Sequence, residues 1–331
     1  MQVEIMEKRQ KRFARFAWFL VVYTIAVILW GAFVRATGSG AGCGAHWPSC
    51  QGNIIPQPES IETVIEFTHR LMSGLFGILI LGLVIWAFRA FPKRHVVRKT
   101  AVLSLVFTIT ESLLGAGLVL FELVAYNVSA ERAIAAALHL TNTYLLLGFV
   151  TLTAWWGSQE RPARVRLQGT AVWLLGIGLA AMIVLSAAGA ITALGDTIFP
   201  AETLAHGLQQ DVDPAAHFLV RLRVWHPVLS ILTGFYLFYM SGIVLEKRPL
   251  PHVHRFATAV RAVVITQVIA GGINVILLAP VWLQMVHLLL ADLLWISLVL
   301  LSAAALAVPA EVTNDEQGTH RVPRSSLPVT R

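Results

Sequence analysis

Charge is scarce in this 331-residue chain. Asp, Glu, Lys and Arg make up 13% of it, against about a quarter in an ordinary soluble domain. With a mean hydropathy of +0.71, that scarcity excludes both a water-soluble globular domain and a disordered polar chain. Cysteine is scarcer still, with two residues, which excludes a disulfide-dense scaffold and a cysteine-rich zinc module. Acidic residues are outnumbered, 18 against 25 basic ones, for a net charge of +7. The basic residues do not gather into the single patch that a nucleic-acid surface requires, so no nucleic-acid partner is expected.

What the chain has in abundance is long apolar sequence. Eight blocks run roughly over 13–36, 64–88, 100–121, 132–156, 168–194, 223–245, 257–279 and 281–306, each long enough to cross a hydrocarbon core. The fold expected is all-α: a polytopic membrane protein of eight transmembrane helices. The first block is too long for a signal-peptide core and no small-residue cleavage site follows it, so it reads as a retained helix. Most basic residues alternate to one side of these blocks. Lys8, Arg9, Lys11, Arg12 and Arg15 precede the first, Arg89, Lys93, Arg94, Arg98 and Lys99 follow the second, and Lys247, Arg248, Arg255 and Arg261 follow the sixth. The positive-inside rule puts both termini in the cytoplasm.

The two halves echo each other in order. Gly31-Ala32 matches Gly189-Ala190. Glu66-Phe-Thr-His69 matches Arg223-Val-Trp-His226. Thr110-Glu111 followed by Gly115-Ala116 matches Thr266-Gln267 followed by Gly271-Gly272. His139 matches His287. The expectation is two pseudo-symmetric four-helix bundles. The divisions are a cytoplasmic N-terminus (1–12), a first bundle (13–156) with an outer loop (37–63), a linker (157–167), a second bundle (168–308) and a disordered cytoplasmic tail (309–331). Small residues let helices approach closely in lipid, so Gly115, Gly117, Gly271 and Gly272 are expected to pass close to a flat macrocycle or simply to a neighbouring helix.

Four histidines carry the functional reading. His69, His139, His226 and His287 each lie a few residues inside the outer end of a helix, about 5–10 Å below the interface at 1.5 Å per residue. One such histidine is ordinarily a packing residue. Four at equivalent depth, two in each half, point to two heme sites, because two axial imidazoles suffice for a heme iron and neither half offers the further ligands that zinc takes. Glu66 and Arg223 distinguish the halves. Each is three residues before its histidine and so shares its helix face. A carboxylate there suits proton transfer or stabilisation of a developing cation, or it simply pairs with Arg70. Arg223 suits an anion such as a heme propionate. Glu111 is a second intramembrane acid, either an auxiliary to the first site or a bond to a neighbouring helix. Arg35, Arg70, Arg221 and Arg223 are candidate propionate contacts, or they snorkel to the headgroups. Cys43 and Cys50, in the first outer loop, suit a disulfide on the oxidising side of a membrane. That disulfide is either a loop staple or an exchangeable dithiol able to relay reducing equivalents.

Gly31-Ala-Phe-Val-Arg-Ala-Thr-Gly-Ser-Gly40 running into Cys43 and Trp47-Pro-Ser-Cys50, with Glu66-Phe-Thr-His69-Arg70, His139, Leu222-Arg-Val-Trp-His226-Pro227 and His287, resembles the heme A synthase family across residues 10–306. The resemblance implies oxidation of a methyl group of heme O to a formyl group by successive hydroxylations and loss of water, for heme-copper oxidases. It implies that His69 and His139 face the substrate heme O, that Glu66 is the catalytic carboxylate, and that His226 and His287 ligate a resident heme b. It also implies that Cys43 and Cys50 form a functional redox pair. Partners implied are lipid, heme O, heme O synthase and an electron donor, with homo-oligomer formation left open; the site expected is the plasma membrane. Many relatives carry a second cysteine pair between helices five and six. Here the stretch from Gly195 to Leu222 has none and could hold a short amphipathic segment near Leu204–Leu219. Two other readings share the histidines: a diheme cytochrome b that only carries electrons, and a heme transport or delivery protein. Neither requires Glu66.

Overall fold

The computed structural model describes residues 2–57, 60–159, 163–165 and 169–309. Among them are helices α1 (Gln2–Ala36), α2 (Ile61–Ala90), α3 (Val96–Leu120), α4 (Ala130–Gly157), α5 (Thr170–Ile198), α6 (Leu204–Val212), α7 (Phe218–Leu222), α8 (Trp225–Lys247), α9 (Pro251–Ile276) and α10 (Val281–Leu306). With α7 and α8 taken as one segment, Phe218–Lys247, eight of these are long and apolar enough to cross a membrane. The helices start where local chemistry favours it. Ser60, Ser129 and Thr203 each accept a backbone N–H from the first turn of α2, α4 and α6, and Pro251 opens α9, where its missing N–H costs nothing.

Two segments take on regular structure. The expected N-terminal segment 1–12 is helical from Gln2, where α1 begins; its Lys, Arg and Gln residues from Lys8 onward are strong helix formers. The linker after α4 contributes a strand, Ala163–Val165, that pairs antiparallel with Ala307–Pro309 beyond α10. The tail expected from 309 lies, apart from Pro309 itself, outside the described residues. The segment between α5 and α8 holds α6, whose Leu204, Leu208 and Val212 form an exposed apolar stripe at four-residue spacing, as an amphipathic segment should.

Burial sorts the spans into centre and rim. About half of α10 and α4 is buried, at 56% and 44%, against 17% for α3 and α9. α4 and α10 therefore form the central seam. There the Trp295 indole donates to the Tyr144 carbonyl at 2.7 Å, with the two rings edge-to-face at 5.3 Å, and Gly148 leaves room for the indole. At the rim, α2 presents Leu71, Leu75, Ile78, Leu81, Ile85 and Phe88 outward, the stripe expected of a lipid-facing helix. α1 is fixed to α2 by polar groups that would be costly to leave bare in lipid: the Trp30 indole donates to Ile65 O at 3.0 Å and the Tyr23 hydroxyl to Met72 O at 3.2 Å.

Candidate functional site

Each of the four histidines lies against a glycine of the preceding spanning helix. A Cβ built on Gly31 (α1) would sit 2.8 Å from Cε1 of His69 (α2); on Gly115 (α3), 3.7 Å from Cε1 of His139 (α4). In the second half, a Cβ on Gly189 (α5) would sit 3.0 Å from Cε1 of His226 (α8), and on Gly271 (α9), 3.1 Å from Cε1 of His287 (α10). The same atom faces the same type of residue at all four places, and at three of them a methyl group would intrude. Of the small residues expected to face a macrocycle or a neighbouring helix, Gly115 and Gly271 lie against a histidine of the neighbouring helix, while Gly117 faces Phe121 and Gly272 faces open space.

Nδ1 of all four histidines is buried and makes no hydrogen bond. His226 and His287 have ring centroids 6.4 Å apart, crossed at 79°. Two imidazoles each bound through nitrogen to one iron at about 2 Å place their centroids roughly 6 Å apart, so this pair fits a bis-histidine heme. In the first half His139 is near enough to act electrostatically on His69. Among the described residues no group of three or more His, Cys, Asp or Glu side chains gathers. The donor set in each half is thus a pair of imidazoles, which suits a porphyrin iron better than a bare metal ion.

The residues beside the histidines differ between the halves. Glu111 Oε1 lies 3.3 Å from His139 Nδ1, close but not aligned as a hydrogen bond. Its Oε2 accepts from Asn142 Nδ2 at 2.6 Å, and the Thr143 hydroxyl reaches Oε1. At the matching place in the second half, the Gln267 amide nitrogen is 3.2 Å from His287 Nε2.

Glu66 is buried and fully engaged. Its Oε2 accepts the Cys43 backbone N–H at 2.8 Å; its Oε1 accepts Arg70 Nη2 at 2.5 Å and Nε at 3.2 Å. Arg70 also donates to the carbonyls of His46 and Ser49, at 2.6 and 2.5 Å. The pairing left open as an alternative in the sequence is present, and it bolts the α1–α2 loop onto α2. Cys43 and Cys50 form a disulfide, and both are fully buried.

Arg35 and Arg223 are held within the protein. Arg35 donates to Ala193 O at 2.6 Å, Thr197 Oγ1 at 2.7 Å and Gln284 Oε1 at 2.9 Å, joining the first half to α5 and α10. Arg223 pairs with Asp196 at 3.1 Å and Asp211 at 2.9 Å. Arg221 lies exposed on α7. Sequence reasoning missed Asp196, Asp211, Gln284 and Asn142 as partners, and it missed Asp292, a fully buried α10 carboxyl neither of whose oxygens has a partner. An acid inside the block Leu288-Leu-Leu-Ala-Asp292-Leu-Leu-Trp295 was itself the available signal.

The chain matches the model of the cytochrome oxidase assembly protein family (COX15-CtaA) over residues 14–299. It is 47% identical over 313 residues to a Thermus thermophilus protein named protoheme IX farnesyltransferase, covering 94% of this chain and 52% of that protein. It is 41% identical over 112 residues to a heme A synthase of Exiguobacterium sp., covering 34% of this chain and 37% of the relative. It is 37% identical over 153 residues to the heme A synthase of Halalkalibacterium halodurans, covering 46% and 50%. The chain thus spans about half the length, or less, of these curated relatives.

Proposed function

Because the chain belongs to the cytochrome oxidase assembly protein family, we propose that it is a heme A synthase: a multi-pass membrane oxidoreductase that converts a methyl group of heme O to a formyl group. The observation that carries this reading is the set of four glycine-seated histidines with free Nδ1 atoms, which supports one heme in each half. The repeated glycine–histidine geometry likewise supports an internal duplication. We assign His226 and His287 to a resident heme b and His69 and His139 to substrate heme O. Bound heme supplies the redox chemistry that an unactivated porphyrin methyl requires.

The protein's own residues would do the rest. The glycines fix the imidazole rings that would hold heme iron. Glu66, accepting from Cys43 and Arg70, is a proton acceptor held by the disulfide-bearing loop at the substrate half. Arg70 keeps that carboxylate oriented; Arg35 and Arg223 fix the helix ends around the two sites rather than standing free for propionates. The Cys43–Cys50 disulfide touches Glu66 through one backbone N–H, which supports a redox pair coupled to the site. The distribution of basic residues supports a plasma-membrane protein with both termini cytoplasmic. The half-length match to a protein named protoheme IX farnesyltransferase supports heme O synthase as a partner. Each hydroxylation also needs an external oxidant, and an electron donor where that oxidant is dioxygen.

The test is pigment analysis. The chain is expressed in a host that makes heme O but not heme A, and the extracted hemes are separated and weighed. Heme A or its hydroxylated precursor is expected. Heme b alone, with heme O present in the host, would favour an electron-carrying diheme cytochrome. Unaltered heme O bound to the protein would favour heme delivery.

A further inference from the structure

Between the start of α1 and the end of α4 lies a cleft of about 390 Å³, lined by Gln10, Lys11, Ala14, Arg15, Trp18 and Ser158. Its walls are tied together. Gln10 Nε2 donates to the Gln159 carbonyl at 2.7 Å, and the Trp18 indole donates to the Ser158 hydroxyl at 3.0 Å. A Cβ on Gly157 would sit 2.8 Å from Cε1 of Phe13, so the two helices meet closely beside it. The last carbonyls of α4 already accept hydrogen bonds: those of Ala154 and Trp155 from the Ser158 N–H, and that of Trp156 from the Gln159 N–H. Arg15 lies within the apolar run of α1, after Phe13 and Ala14, and among the described residues its guanidinium makes no hydrogen bond or ion pair. A cation at the edge of a hydrocarbon core reaches for an anion or for water. Lys11 is four residues before Arg15 and shares its helix face. In the other direction Phe19 and Val22 continue that face, 52% and 66% exposed, with the Phe19 ring stacked on Phe16 and Tyr23. The face is cationic at one end and apolar at the other. Trp18 stands at the junction, and tryptophan is the residue type enriched where hydrocarbon meets water.

We propose that this cleft seats one anionic phospholipid: Lys11 and Arg15 take its phosphate, and its acyl chains lie along Phe19 and Val22. A phosphodiester is the anion that the surrounding bilayer supplies at this level, and it brings the apolar chains that the lower part of the face requires. Basic clefts between spanning helices hold such headgroups by charge and shape together. The lipid would also pin the start of α1 to the end of α4, where two hydrogen bonds already join them. The site is independent of the assignment of the histidines to hemes.

The experiment places the purified full chain in nanodiscs of phosphatidylcholine with a minor share of phosphatidylglycerol, and native mass spectrometry counts the lipid that stays on the protein. One phosphatidylglycerol per chain should be kept in preference to phosphatidylcholine. Lys11→Gln and Arg15→Gln should each weaken that retention about fivefold, the effect of one cation beside an anionic headgroup. Ala14→Met fills the cleft and leaves every charge in place. It should weaken retention as well, and it carries the test if the charge-removing variants fail to fold. Lys93→Gln combined with Lys99→Gln removes two charges from the same end of the bundle, outside the cleft, and should leave retention unchanged. A loss from that pair as large as the loss from Lys11→Gln with Arg15→Gln would show diffuse attraction and overturn the site. Equal retention of the two lipids would overturn it too. Displacement of phosphatidylglycerol by inorganic phosphate at the same concentration would assign the cleft to a soluble anion and likewise overturn the lipid site.

Discussion

The backbone N–H of Cys43 donates to the carboxylate of Glu66 at 2.8 Å, so the disulfide and an intramembrane acid share one hydrogen bond. Arg70 ties the same loop to Glu66 through the carbonyls of His46 and Ser49.

Replacing Cys43 and Cys50 together by serine should destabilise the protein by about 2–3 kcal/mol, the chain-entropy value for so short a ring. Thermal unfolding in detergent measures this. Heme A formation is expected to fall further than the folded fraction does. Activity that only tracks the folded fraction would reduce the disulfide to a staple.

The glycine seats should fail in order of their clearance. Gly31→Ala, where the new methyl meets His69 at 2.8 Å, should cost more heme than Gly115→Ala, where 3.7 Å is ordinary contact. Gly189→Ala and Gly271→Ala, at 3.0 and 3.1 Å, should weaken the low-spin heme signal of the second half and spare the first. Heme titration followed by absorbance reads all four. Equal losses at Gly31 and Gly115 would show that the seats do not set the rings.

Asp292 is fully buried with two unpartnered oxygens. An acid in a helix centre costs about 2.5–3.5 kcal/mol to insert. Asp292→Asn keeps the shape and removes the ionisable group, so it should raise the unfolding midpoint. A lowered midpoint would reveal a bound water or ion that the carboxyl serves and the amide cannot.

His95 lies outside the spans and caps α3, its Nδ1 accepting the Val97 N–H at 3.3 Å while its ring stacks on Phe91 at 4.8 Å. Burial, with a smaller push from Arg98, lowers its pKa below 6.5. The neutral ring is the capping form, so its contribution is complete above the unfolded value and is lost as pH falls through the lowered one. His95→Asn, which caps without titrating in this range, should flatten the stability profile below about pH 6.5. An unchanged slope would assign that pH dependence to another group.

The eight spans were legible because twenty-residue apolar blocks have few alternatives in water or lipid. The histidines were legible because polar groups are rare at that depth. The glycine seats were half visible: Gly31, Gly115, Gly189 and Gly271 stood out as repeat markers, but a single chain does not say which ring meets which glycine. The polar partners were hidden for a different reason. Arg35 and Gln284 are 249 residues apart and Arg223 finds Asp211 on a loop helix, so only the packed bundle brings them together. Glu111 stood out as an acid, yet its nearness to His139 depends on the α3–α4 interface and not on any spacing.

Arg35 also bears on how the protein is made. Its guanidinium belongs to α1, while Thr197 and Gln284 lie 162 and 249 residues later. At about 5–20 residues per second, this cation enters the bilayer tens of seconds before its last partner leaves the ribosome. Until then, only headgroups, water or an insertion chaperone can satisfy it. Formation of those bonds is the step at which the nascent N-terminal half becomes committed to its successor.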